Sequence, residues 1–133
     1  MFQQLEKKGY EVFIESMKVK IPGENIYYYP DILVTREAQT DENRYVQFEP
    51  ELIAEVISDF SRTRDMVDKL IQYQKFNSLK YYLIIEHDKQ EIIVVSRNAE
   101  AHWQSETYNQ PDTTIKLPAL EIEFKLSDIY SVE

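Results

Sequence analysis

The chain has 133 residues, 43% of them hydrophobic and 13% aromatic, a formal net charge of −9 at pH 7, and no cysteine. That length and apolar content predict one folded domain over 1–133 and exclude a disordered tail. The lack of cysteine excludes a disulfide framework, a thiolate metal site and a thiol nucleophile.

No apolar run approaches the roughly 18 to 20 residues needed to span a bilayer. The first residues, with Glu6, Lys7 and Lys8, lack an apolar signal core, so no membrane partner and a soluble, cytoplasmic protein are expected. The acidic balance opposes tight binding to nucleic acid, whose phosphates demand a basic face. The charge is uneven, however: residues 59–80 hold five basic side chains against three acidic ones. By composition alone, this is equally an ordinary solvated helix face.

In chain order, residues 2–8 predict a short helix stopped by Gly9. Residues 12–21 read as a strand, with Met17, Val19 and Ile21 alternating against Lys18 and Lys20. Pro22-Gly23-Glu24-Asn25 is a turn. Residues 26–35 form a second strand, broken where Pro30 withholds a ladder donor. Residues 36–48 are polar and loop-like. A central strand is expected over 52–57, followed by capping candidates in 58–63 and a helix over 64–76, with Met66, Leu70, Tyr73 and Phe76 on or near its apolar stripe. Asn77-Ser78 ends that helix. Strands over 81–86 and 91–97 form a hairpin, and another strand follows over 101–108 around Trp103. Residues 109–113 turn, 115–124 are weakly extended, and 126–130 close with a helical turn. One helix on a mixed, mostly antiparallel sheet is an α+β layout.

The central strand carries the anomaly. Strands alternate faces, so Leu52, Ala54 and Val56 point one way and Ile53, Glu55 and Ile57 the other. Glu55 thus stands between two isoleucines, where an ionised carboxylate costs several kcal/mol unless a cation, hydrogen bonds or a raised pKa compensates. Asp31 follows Pro30 in the preceding strand, and consecutive strands usually neighbour one another. Two carboxylates with open positions suit a hard divalent cation, Mg²⁺ or Mn²⁺, able to polarise a phosphoryl oxygen. Asp65, Lys69 and Tyr73 recur at i, i+4 and i+8 on one helical stripe, which makes Lys69 the candidate to stabilise developing charge.

These residues carry a resemblance. Tyr29-Pro30-Asp31-Ile32-Leu33-Val34, Leu52-Ile53-Ala54-Glu55-Val56-Ile57-Ser58, the Asp65/Lys69/Tyr73 helix and Lys80-Tyr81-Tyr82-Leu83-Ile84-Ile85 look like the Uma-type restriction endonucleases of the PD-(D/E)XK nuclease-like superfamily. The tail, Leu117-Pro118-Ala119-Leu120-Glu121-Ile122 and Leu126-Ser127-Asp128-Ile129-Tyr130, resembles that family's ending, so the similarity runs over about 27–130. It implies a restriction-endonuclease-like mixed sheet flanked by helices and a metal-dependent DNA phosphodiesterase using Mg²⁺ or Mn²⁺. It also implies Asp31 and Glu55 as metal ligands, the Val56 carbonyl as a third, Lys69 as the catalytic cation, and Asp65 and Tyr73 in support. Two departures stand out. The superfamily lysine would fall at Ile57, so Lys69 would have to serve in its place. The family's longer leading segment, with an acidic residue lining the site, is expected to be short here.

Each residue has a plainer reading. Glu55 fits a buried ion pair or an exposed edge, Asp31 a turn cap, Lys69 a surface helix lysine, Asp65 an i+4 partner of Lys69, and Tyr73 the core. His87 and His102 read as surface residues, and Trp103 and Tyr27 to Tyr29 as packing. The leading expectation is a DNA endonuclease, with a homodimer to cut both strands. The alternative is a catalytically inactive member of the fold serving as a protein-interaction or dimerisation module.

Overall fold

Along the chain run α1 (Phe2–Lys7), β1 (Glu11–Ile14), β2 (Val19–Lys20), β3 (Tyr27–Tyr28), β4 (Ile32–Thr35), β5 (Pro50–Ile57), α2 (Thr63–Tyr73), β6 (Tyr81–Glu86), β7 (Ile92–Arg97), β8 (Trp103–Tyr108), β9 (Thr114–Leu117), a 3₁₀ turn (Pro118–Leu120), β10 (Ile122–Lys125) and α3 (Leu126–Ile129). The computed structural model describes residues 2–15, 17–36, 49–58 and 63–130, with backbone alone at 63 and 64. The polar stretch expected over 36–48 lies, after Arg36 and up to Phe48, outside the described residues, as do most of the capping candidates before α2.

Six strands form one sheet in the order β1-β4-β5-β6-β7-β8. All neighbours are antiparallel except β5 and β6, whose parallel pairing needs a crossover, and α2 supplies it. This is the mixed α+β sheet that the sequence predicts. β5 and β6 lie at its centre and are buried on both faces, which is why they read as near-continuous apolar runs. β8 is an edge strand whose middle residues are exposed and polar, a composition that discourages pairing with another chain.

The two faces bury separate cores. One gathers Val34, Leu52, Ala54, Leu83 and Ile92 under α1, the β9–β10 hairpin and α3. The other gathers Leu33, Ile53, Ile57, Tyr82 and Ile84 under α2 and the β2–β3 hairpin. Glu55 belongs to this second face.

Three expectations need correction. The strand expected over 12–21 is two strands, because Glu15 adopts a left-handed φ of 51° after Ile14. The alternation still holds in its second half, where Met17, Val19 and Ile21 are buried. α2 stops at Tyr73, three residues early, and 3₁₀-type bonds such as Phe76 N–H to Tyr73 O tighten the exit. The weakly extended tail is a hairpin: β9 and β10 pair from Thr114 with Lys125 to Leu117 with Ile122. Its Ile115, Leu117, Leu120, Ile122 and Phe124 are all buried against the first face. The short helix expected at the start and the closing helical turn are both present, as α1 and α3.

Candidate active site

The β4–β5 ladder pairs Leu33 with Ile53 and ends at Ile32 with Ala54. Asp31 and Glu55 are the next residues on each strand, and the Asp31 amide donates a hydrogen bond to the Glu55 carboxylate. Leu33 and Ile53 both lie in the second core, and strand alternation puts Asp31 and Glu55 on that same face. Pro30 precedes Asp31 and has no N–H with which to extend the ladder. The Asp31 side chain takes over: its Oδ2 accepts the Val56 N–H at 2.7 Å. On the far side of Asp31, its carbonyl accepts the Glu15 N–H at 2.8 Å, which ties the end of β1 to the same residue.

Glu55 is 4% exposed. Its Oε1 accepts the Tyr73 hydroxyl at 3.0 Å and lies 3.6 Å from Lys69 Nζ. Burial pushes its carboxyl above the usual carboxylate range, and the charge of Asp31 adds to this. The Lys69 ammonium, the Tyr73 hydroxyl and the Asp31 amide act in the opposite direction without cancelling the burial. Tyr73 has no exposed surface, and its phenol is pushed far upward by burial first and the Glu55 charge second, so it stays protonated and donates. Another buried acid of the same strand, Glu51, is treated differently: Lys80 at 2.8 Å and Arg36 at 3.6 Å both pair with it.

Lys69 is half-buried. Its ammonium lies 5.6 Å from the Tyr28 ring centroid, and Tyr28 packs edge-on against Tyr73 with centroids 5.3 Å apart. A small cleft beside the ion pair is lined by Tyr28, Asp65, Met66, Asp68 and Lys69. Tyr28 is the residue that sequence reasoning missed. Its signal was the alternation within Tyr27-Tyr28-Tyr29, where only the middle ring turns inward.

The structure thus brings Asp31, Glu55, Val56, Lys69 and Tyr73 together, and leaves Asp65 exposed on the cleft wall. Lys69 pairs with Glu55 across the sheet–helix boundary. Ile57, where the superfamily lysine would fall, is 4% exposed in the second core. His87 and His102 are exposed as expected.

The donor set suits a hard cation. Asp31 and Glu55 offer carboxylate oxygens on neighbouring strands, and among the described residues no histidine joins them. Among the described residues no three acidic or histidine side chains converge.

A mixed sheet crossed by one helix, with acidic residues at adjoining strand positions, is a restriction-endonuclease-like fold. The profile of the family described as "Uma2: Putative restriction endonuclease" matches residues 1–128, and the chain belongs to that family. An uncharacterised protein of Synechocystis sp. is 32% identical over 85 residues, which cover 62% of this chain and 48% of that protein. The chain therefore spans about half the length of this curated relative. A crystal structure from Anabaena variabilis, described as a "putative nuclease belonging to DUF820", superposes with a TM-score of 0.73. The superposition covers 93% of this chain and 69% of the other at 17% identity, a likeness of fold.

Proposed function

We propose that the chain is a single metal-dependent endonuclease domain hydrolysing DNA phosphodiester bonds, with Asp31 and Glu55 holding Mg²⁺ or Mn²⁺ and Lys69 as the catalytic cation. One observation carries the reading: a 4%-exposed glutamate beside an aspartate, with a lysine 3.6 Å away at the mouth of a cleft. An ion held there, with the Val56 carbonyl as a further oxygen donor, supplies electrostatic stabilisation of the phosphoryl group. The Val56 amide holds the Asp31 carboxylate in orientation. The Tyr73 hydroxyl does the same for Glu55, and rigid positioning is most of what phosphoryl chemistry asks of a protein. Lys69 donates to the charge that develops as water attacks phosphorus and the P–O ester bond breaks, leaving a phosphomonoester and a hydroxyl. Asp65 contributes to the cleft wall that faces the substrate.

A second reading has its own support. Glu55 Oε1 already has two partners, Tyr73 and Lys69, as a buried structural ion pair would. On this reading the chain is an inactive member of the fold acting as an interaction or dimerisation module. Cleavage of a labelled oligonucleotide and of supercoiled DNA in Mg²⁺ or Mn²⁺ separates the two. Activity lost in both Asp31→Asn and Glu55→Gln supports the enzyme. Folded wild type that is inert with both metals and self-associates supports the module.

A further inference from the structure

The β2–β3 hairpin has two unlike faces. Its ladder pairs Val19 with Tyr28 and Lys20 with Tyr27. Val19 is buried, and Tyr28 packs on Tyr73, so that pair faces the core. Lys20 and Tyr27 therefore face outward, joined by the residues one strand repeat away, Lys18 and Tyr29. Tyr27 is 42% exposed and Tyr29 is 66% exposed. Lys18 Nζ sits 4.9 Å from the Tyr27 ring centroid. The one carboxylate of the intervening turn, Glu24, is held by Lys75 at 2.7 Å, which neutralises it and pins the hairpin to the segment after α2.

We infer that this outward face binds single-stranded nucleic acid, with unpaired bases stacking on Tyr27 and Tyr29 and Lys18 and Lys20 meeting the phosphates. The inference rests on the nuclease reading and specifies its substrate. The face adjoins the candidate site directly. Tyr28, between the two exposed rings, touches Tyr73 and Lys69, and Asp31 lies two residues beyond Tyr29. Rings interleaved with lysines form a stacking platform, tolerant of sequence because every base has a π-face.

The charge of the chain selects the strand state. At −9, the protein gains little from phosphate neutralisation, which supplies most of the affinity for a duplex. A duplex also hides its base faces, whereas a single strand exposes them. Two tyrosines and two lysines in an acidic protein hold a strand by stacking.

The test is fluorescence anisotropy in EDTA, with labelled oligothymidylate and a labelled duplex of equal length. Wild type is expected to hold the single strand more tightly. Tyr27→Ala and Tyr29→Ala should each weaken it by about tenfold, while Tyr27→Phe and Tyr29→Phe restore it. Lys20→Ala should reduce the slope of log affinity against log salt by about 0.7. Unfolding temperatures should stay unchanged, since both rings are exposed. Duplex bound as tightly as single strand, or alanine variants that bind like wild type, would overturn the inference. If wild type still cleaves DNA in that case, the nuclease reading survives it. Wild type that neither binds nor cleaves sinks both. Alanine variants that alter sedimentation mass but not oligonucleotide affinity would reassign the face to self-association and also overturn the inference.

Discussion

Lys69 and Glu55 meet 3.6 Å apart, a helix lysine reaching a strand glutamate in the second core. The strand could not supply this cation itself, because its same-face neighbour Ile57 is packed in the core. A lysine side chain from the overlying helix reaches the carboxylate while its own stem stays at the cleft, where the ammonium keeps contact with water and with the Tyr28 ring.

Burial raises the Glu55 carboxyl, so the sign of its effect on stability is set. Between the ordinary carboxylate pKa, about 4.3, and the raised folded value, the native state keeps a proton that the unfolded chain has released. Stability therefore falls as pH rises through that window. Glu55→Gln holds the neutral form permanently and should be more stable than wild type above that window. Urea unfolding of both proteins across the window measures this. The expected difference grows with pH and then levels off, and a mutant less stable by a constant amount would contradict it.

A divalent ion needs the ionised form of Glu55, so binding should release a proton and strengthen with pH through the same window. At about 100 times its dissociation constant, Mg²⁺ or Mn²⁺ should add roughly 2.7 kcal/mol to wild-type stability. Thermal unfolding with and without metal reads this, and neither Asp31→Asn nor Glu55→Gln should show the shift.

Lys69→Met removes the strongest of the influences that favour ionised Glu55. The carboxyl should climb further, and the pH midpoint of metal binding should move upward with it. Isothermal titration at several pH values checks this, and an unmoved midpoint would mean that the ion pair is electrostatically idle.

Tyr73→Phe deletes the 3.0 Å hydrogen bond to a buried carboxylate without opening a cavity. Bonds to charged groups are worth about 1.5–3 kcal/mol, and a loss of that size at neutral pH is expected by chemical denaturation. The loss should shrink at acid pH, where Glu55 is neutral in both proteins. A purely apolar role for Tyr73 predicts no pH dependence.

The β9–β10 hairpin is part of the core and not an appendage. Phe124→Ala should cost about 3–5 kcal/mol in equilibrium unfolding, given its 4% exposure. A cost under about 1 kcal/mol would mean that the hairpin detaches without disturbing the sheet.

Much of this was legible in the chain. β5, β6 and β7 announce themselves as dense apolar runs because a central strand buries both faces, and burial leaves its mark on every residue. Glu55 stood out for the same reason: one charge in such a run violates a rule with period two. The tail hairpin was illegible because its buried residues alternate with exposed Lys116, Glu121, Glu123 and Lys125, a weak pattern that gains meaning only once a sheet lies beneath it. The break at Glu15 was hidden too, since a left-handed turn at a non-glycine residue has no compositional signature.

By itself the sequence determined where the central apolar strands run and that Glu55 breaks their pattern, and it offered Asp31 and Lys69 as candidates beside it. Those are local properties, written in periodicity and side-chain chemistry. The tertiary structure alone decided who meets whom. It set Asp31 beside Glu55, brought Lys69 and Tyr73 onto one carboxylate oxygen, and turned Tyr28 inward while leaving Tyr27 and Tyr29 outside. Such pairings join residues far apart in the chain, and they depend on ladder register and helix placement, which no single segment encodes.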